Sequence, residues 1–512
     1  QDKIVYPPLS EDLQGGPRWR SLKYFGAGAI MASVTIGSGE TLFASRSGAV
    51  FGYALLWCFV GGAIMKGIQV YVGGRHMVLT GQHPMTHWGH MPGPRNWVPL
   101  IIGLLSIASF PFWLAGLPLM LGQTINWILG VDVQILGMTP SELKEVVKTL
   151  PEGDPQLLVL AQKSAQLLLI QRLWATVAVA IAVTLTCLQS YQLFERAQIA
   201  IVGILLAAIL AACVASQPDL SAMLAGFVPR LPEFPTWVHQ YEDIVKDSEW
   251  VFVGVCLGAI GGGTYDYLGY LGCYREKNWG ALGLDRNEFT DESVVSGGDL
   301  QIDTDPENIR RGRGWLIPVK IDVGVSFLAV VVFTMCFIVL GAVILHPDHA
   351  VPDKFALLSK QARFLTDFHP ALVYVYQVGI FMAFWGTIYG AYEIYIRTAY
   401  ECLMPLSRRV RRMPRATFRK WTLVYCATGG LLLIWLGGDD PAAIVKPAAI
   451  LGGVFACGLW CFAMIWTDRR FLPKALQMGP LLLILMTLSG ACLTTIGTLA
   501  IWNEYLSQLF GS

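Results

Sequence analysis

Eleven stretches of this chain run for about 20 mostly apolar residues, the length an α-helix needs to cross the hydrocarbon core of a bilayer. They lie near 22–46, 49–73, 96–130, 164–188, 192–215, 249–273, 315–345, 369–396, 419–437, 442–466 and 478–504. Lipid offers no partner to a backbone N–H or C=O, so each stretch must close its own hydrogen bonds as a helix. The expected class is therefore an all-α polytopic membrane protein with eleven transmembrane helices. Composition agrees: 54% of the 512 residues are hydrophobic and 14% are charged, where soluble domains carry about a quarter charged residues. That excludes a soluble enzyme, a disordered chain and a coiled coil. With 37 basic and 36 acidic residues the net charge is +1, so no overall field points to nucleic acid.

The first 24 residues are polar and lack the apolar core of a secretory leader, so the spans are expected to direct insertion. With the N-terminus inside, the inner segments hold 25 Lys/Arg and the outer ones 11. That bias sets the expected topology: an integral protein of a bacterial-type inner or plasma membrane, N-terminus cytoplasmic and C-terminus extracytoplasmic. Residues 1–21 form a cytoplasmic segment. In the outer loop, Leu143, Val146, Val147 and Leu150 follow helical spacing and predict a short surface helix over 141–150. The inner loop 275–314 is charged and Gly-bearing, a linker or a regulatory loop. Most of the 11 Cys lie in apolar stretches, as small buried hydrophobes outside any disulfide framework.

The first and sixth spans are interrupted, by Ile36-Gly37-Ser38-Gly39-Glu40 and by Gly261-Gly262-Gly263-Thr264-Tyr265-Asp266. A broken helix in hydrocarbon leaves backbone groups unmet at several kcal/mol each, so it survives only where it lines a cavity or binds something. Two breaks five spans apart are the pattern of an inverted-repeat transporter, with its site at mid-membrane between the half-helices. Each break also carries a carboxylate, and a carboxylate within a span costs about 2.5 kcal/mol or more to insert.

The residues around these breaks resemble a known family. Phe25-Gly26 through Gly37-Ser38-Gly39-Glu40, then Phe51-Gly52-Tyr53, Leu55-Leu56-Trp57, Arg75 and Thr80-Gly81, look like the first two spans of the NRAMP (natural resistance-associated macrophage protein) metal transporters. Gly258-Ala259, Glu195 and Thr467-Asp468-Arg469-Arg470 extend the resemblance over nearly the whole chain. It implies a LeuT-type fold of two inverted five-span repeats, 22–215 and 249–466, with helices one and six broken, plus an eleventh span at 478–504. It also exposes departures. The family's Asp-Pro-Gly-Asn is Gly37-Ser38-Gly39-Glu40 here, and its Met-Pro-His falls on Gly262-Gly263-Thr264. The soft thioether ligand is gone, and the remaining carboxylate, hydroxyl and carbonyl oxygens suit hard dications. The family's proton-carrying positions in spans three and six are occupied by Ser109-Phe110-Pro111-Phe112-Trp113 and Gly269.

The candidate substrate site is therefore Glu40, Asp266, Gly37, Ser38, Gly261, Gly262, Thr264 and Tyr265, with Glu40 and Asp266 as metal ligands. Either carboxylate has a second possible role, capping the half-helix that follows it. Lys66 lies mid-span, too deep to snorkel; it either neutralises Glu40 or Asp266 or pairs with Glu393 in span eight. A permanent ammonium beside the carboxylates would compete with a dication. Aromatics such as Phe110, Trp113, Tyr265 and Trp385 suit either ordinary packing or an organic ligand. His83, His87 and His90 have ligand-like spacing, but Pro84 and Pro92 disrupt the helix that would align them. Cys457 and Cys461, four apart on one face, read as packing.

These observations predict a transporter working by alternating access, not an enzyme, because no nucleophile–base pair or nucleotide loop is present. The expected substrate is a hard divalent cation of the Mg or Mn type, moved without proton coupling and without a cofactor. Alternatives are a small organic or zwitterionic solute, and a membrane-embedded sensor that binds without moving its ligand. The expected partners are that substrate and the bilayer, with no nucleic acid, and the chain is expected to act as a monomer.

Overall fold

The computed structural model describes residues 3–14, 23–25, 39–151, 154–188, 192–246, 248–284, 301–352 and 356–507. Among these, regular structure is helical apart from one isolated parallel bridge between Ile4 and Ile302. Eight of the described helices are long and apolar enough to cross a membrane: Leu56–Thr80, Trp97–Ile128, Pro155–Leu188, Glu249–Glu276, Pro306–Leu345, Leu372–Leu406, Pro441–Phe471 and Pro480–Leu506. The other three expected spans coincide with shorter or more polar helices over their described parts: Ser45–Phe51, Gln192–Ala215 and Arg415–Leu436. Gly37 and Ser38 lie outside the described residues, as do the side chains of Glu40 and Glu195.

The second span begins later than its hydropathy suggests. Gly52, at φ +59°, returns its N–H to the Gly48 carbonyl and ends the first span after Phe51. The apolar run is continuous across that cap, so hydropathy alone divides it too early. The predicted outer helix is present as Pro140–Thr149, started by a capping box in which Thr139 and Glu142 satisfy each other's backbone N–H groups.

The sixth span is the centre of the bundle. Its apolar stretch is wholly buried, whereas only 33% of the corresponding stretches of Pro155–Leu188 and Pro480–Leu506 is buried. Unwound backbone can exist here at membrane depth, because protein rather than lipid surrounds it. Neighbours approach it through small residues. A methyl group on Gly258 would lie 2.1 Å from the Ala449 carbonyl oxygen, and one on Gly269 would lie 2.4 Å from that of Ile394. In hydrocarbon, where apolar side chains gain nothing by leaving lipid, such close backbone contact is what holds helices together.

On the face that bears the N-terminal segment, the Tyr6 N–H donates to Asn308 Oδ1 at 2.7 Å and its hydroxyl to the Leu79 carbonyl at 2.9 Å. Trp315 Nε1 donates to the Pro7 carbonyl at 3.0 Å. The described end of the 275–314 loop thus seats the N-terminal segment, with Tyr6, Leu9 and Leu13 buried beneath it.

Candidate functional site

The sixth span stops as a helix at Ala259 and resumes at Thr264. Between them Gly261 and Gly262 take φ of +64° and +82°, a conformation that glycine adopts without penalty. The turn leaves several carbonyl groups outside any helical ladder. Lys66 answers three of them: its Nζ donates to Gly258 O at 3.1 Å, Ile260 O at 2.8 Å and Gly262 O at 2.7 Å. Lys66 is fully buried, and an ammonium has three protons to give. The Tyr267 hydroxyl adds bonds to Gly261 O at 2.8 Å and Gly262 O at 3.2 Å. The positive charge therefore sits at the carbonyl end of the first half-helix, where the helix dipole favours it.

The second half-helix opens with Asp266 at its third position. Asp266 Oδ2 accepts the Gly263 N–H at 3.1 Å, and the residue is 3% exposed. Thr264 lies inside a junction between spans: its hydroxyl donates to Gly452 O at 3.2 Å and sits 2.8 Å from Ser106 Oγ. Gly452 belongs to a π-helical stretch, Ala449–Phe455, that widens the tenth span beside the break. Such widened turns recur at functional sites.

The described start of the first span meets this turn directly. Glu40 is the second residue of a π-helical stretch, Gly39–Ala44. A methyl group on Gly39 would lie 2.2 Å from the Ala259 carbonyl oxygen. Gly39, Ala259, Gly262, Tyr265 and Asp266 line one cavity of about 20 Å³, closed by Trp113, Thr387 and Tyr395 among others. The structure thus brings together Gly39, Gly262, Tyr265 and Asp266, with Lys66 on the carbonyl side of the same turn.

One expectation is corrected. Glu393 is held by Arg419, at 2.5 and 3.1 Å, and is not the partner of Lys66. Of the loop histidines, His83 and His87 are buried and engaged inside the fold, and His90 is exposed. His83 Nδ1 accepts the Met85 N–H at 3.2 Å and its Nε2 lies 3.1 Å from Leu268 O, while His87 Nδ1 is 3.0 Å from His76 Nε2. Burial holds His83 down to about 4, against the opposing pull of Glu401, and His87 down to about 3. No group of three or more metal-ligating side chains stands together among the described residues. Cys457 and Cys461 are buried within the tenth span.

Sequence reasoning passed over Gln361, Asp322 and Glu401. Gln361 Nε2 donates to the Thr41 carbonyl and, at 2.5 Å, to Ser45 Oγ, which ties it to the described part of the first span. Asp322 accepts from the hydroxyls of Tyr270 at 2.5 Å and Tyr274 at 3.2 Å. Glu401 takes Arg275 at 2.8 and 2.9 Å. The available signal was Asp322, the one acid within span seven; Glu401 lies past the expected end of span eight, whose own acid is Glu393. The resemblance motifs Arg75 and Asp468, far apart in sequence, form a buried ion pair.

A broken sixth helix, met at its turn by the described start of the first span, is the arrangement of the LeuT-type fold. No protein-family model matches the chain. No curated protein matches it in sequence. Solved structures do match. A manganese transporter of Eremococcus coleocola, in a form with one glutamate changed to alanine, is 12% identical, covers 100% of this chain and 91% of its own, and superposes with a TM-score of 0.60. A form of the same transporter with one histidine changed to alanine gives 0.59 at the same identity and coverage. Mhp1, a nucleobase-cation-symport-1 family transporter closed around bromovinylhydantoin, is 14% identical over 95% of this chain and 93% of its own, at a TM-score of 0.50. The all-helical LeuT-type fold that the NRAMP resemblance implies is the fold of these matches.

Proposed function

We propose that this integral membrane protein moves a small cation by alternating access around the two breaks, and that the cation is a hard dication of the Mg or Mn type. The observation that carries this reading is the cavity between Gly39, Ala259, Gly262 and Asp266. At about 20 Å³ it suits one water or one ion, since a water needs roughly 10–15 Å³ on this measure, whereas organic ligands occupy pockets of about 300–1,000 Å³. The likeness to a manganese transporter supports the same substrate class. Lys66 satisfies the break's carbonyls without any substrate, which leaves Asp266, with Glu40 on sequence grounds, to carry the negative charge. A fixed ammonium near a dication weakens its binding, so the affinity expected is modest. The lining of Trp113, Tyr265 and Tyr395 favours a second reading, a small organic cation held over aromatic faces beside Asp266.

Uptake by purified protein in liposomes tests the reading. Mn²⁺ or Mg²⁺ uptake should fall at least tenfold, about 1.4 kcal/mol, in both Asp266→Asn and Glu40→Gln. Asparagine still accepts the Gly263 N–H, so the Asp266 variant should keep its fold. Without a thioether, Cd²⁺ should have no advantage over Mn²⁺. Organic-amine uptake that depends on Asp266, with no metal uptake, would favour the second reading, and ligand binding without uptake would indicate a sensor.

A further inference from the structure

A second cavity, of about 480 Å³, opens where the sixth, eighth and ninth spans end near Arg415. Its lining divides by chemistry. Ile396, Phe418 and Leu423 are apolar, and Arg275, Arg397, Arg415, Arg419 and Lys420 are cationic. Three of these cations have carboxylate partners: Arg275 holds Glu401, Arg397 holds Glu276 and Arg419 holds Glu393. Arg415 and Lys420 form no ion pair among the described residues, so the pocket keeps two positive charges. The Arg415 guanidinium lies over the Tyr400 ring, 5.2 Å from its centroid, which limits its freedom before anything binds.

The pocket also sits at a definable depth. Immediately after Lys420, Trp421 is 67% exposed and Val424 52%, the start of an exposed apolar face on the ninth span. Tryptophan gathers at the level of the headgroups. A concave site that is basic at its mouth, apolar on its floor and placed at that level fits a phosphate attached to an acyl chain: the guanidinium offers a bidentate fork and the ammonium a point charge. We propose that this pocket binds a phosphate group, delivered by an anionic phospholipid whose first methylenes lie on Phe418 and Leu423. Basic pockets between spans take anionic headgroups in this manner.

The test uses the full chain in nanodiscs of phosphatidylcholine alone, of phosphatidylcholine with phosphatidylglycerol, and of phosphatidylcholine with added inorganic phosphate. Retained lipid is read by native mass spectrometry and stability by thermal unfolding. Wild-type protein should retain phosphatidylglycerol over phosphatidylcholine, and R415Q/K420Q should lose about tenfold or more of that preference. Both residues are exposed, so the variant should fold. R408Q/R409Q removes equal charge from outside the pocket and should keep the preference. Stabilisation by inorganic phosphate that R415Q/K420Q loses would retain the phosphate site and overturn the lipid as its source. Equal losses in the two double variants, or no preference in the wild type, would overturn the proposal.

Discussion

The Lys66 ammonium lies 2.7 Å from the Gly262 carbonyl oxygen, a bond that joins the middle of the second span to the break of the sixth across 196 positions of sequence. The same nitrogen takes Gly258 and Ile260, so one side chain satisfies most of what the interrupted helix exposes. A buried charge is costly on its own, and here three oriented dipoles offset that cost.

Replacing Lys66 with Met keeps much of the volume and strands the buried carbonyl groups of Gly258 and Ile260, while Gly262 keeps the Tyr267 hydroxyl. At about 1–3 kcal/mol for each buried polar group left unmet, Lys66→Met should lose at least about 2 kcal/mol of stability, seen as a lower midpoint of thermal unfolding in detergent. Lys66→Arg should restore part of the loss, because a guanidinium can still donate to two carbonyls. A Met variant as stable as the wild type would show that the carbonyls find other partners.

The Gly39–Ala259 contact makes a second, steric prediction. Gly39→Ala sets a methyl 2.2 Å from a backbone oxygen that cannot move without shifting the break, so transport should fall by at least tenfold, about 1.4 kcal/mol. Gly61→Ala is the control. It lies within the Leu56–Thr80 helix with nothing within 4 Å of the added carbon, and should be neutral or stabilise by about 0.5–1 kcal/mol. Equal uptake by the two variants would remove the contact from the working cycle.

How much of this was legible in the sequence follows from what each feature depends on. The spans and the two breaks are local: apolar length and glycine clusters declare themselves without reference to the rest of the chain. The depth of Lys66 could be read, and so could its conflict with a dication. Its partners could not, because they are backbone carbonyls exposed only by the turn at Gly261 and Gly262. The pairing of Glu393 with Arg419 was equally hidden, since many arginines precede the ninth span and only the packing selects one. The first cap was missed because Gly52 sits in an uninterrupted apolar run, and glycine is common within spans.

The buried histidines make stability pH-dependent. His83 and His87 are held down to about 4 and about 3, chiefly by burial, while an unfolded histidine titrates near 6.5. As pH falls below 6.5 the unfolded chain takes up protons that these two rings refuse, so their contribution is complete above that pH and is lost between about 6.5 and 4. At 1.36 kcal/mol per pKa unit, His83 alone accounts for on the order of 3 kcal/mol. Thermal unfolding from pH 8 to pH 5 should show a falling midpoint, and His83→Gln should flatten the slope below pH 6.5. A slope unchanged by the substitution would place the acid sensitivity elsewhere.

The last prediction is that uptake does not depend steeply on a proton gradient. The positions that carry protons in the NRAMP family are Ser109 to Trp113 and Gly269 here, none of which titrates. Asp266 is engaged with the Gly263 N–H, and Lys66 places a positive charge on the other side of the same turn. Asp322 is another buried acid against the sixth span, and its partners Tyr270 and Tyr274 carry hydroxyls that titrate near 10 in water. Tyrosines there can hold Asp322 in place but give up no proton at neutral pH. The driving force expected is the substrate's own gradient together with the membrane potential, about 2.3 kcal/mol per charge per 100 mV. Proteoliposomes loaded with a pH-sensitive dye check this: Mn²⁺ or Mg²⁺ entry should leave the lumen pH unchanged and should speed up when the interior is made negative. Acidification that tracks entry and disappears in Asp266→Asn would make that carboxylate a proton carrier. If it disappears only in Asp322→Asn, the route runs along the sixth span through Tyr270 instead, and in either case uncoupled movement is wrong.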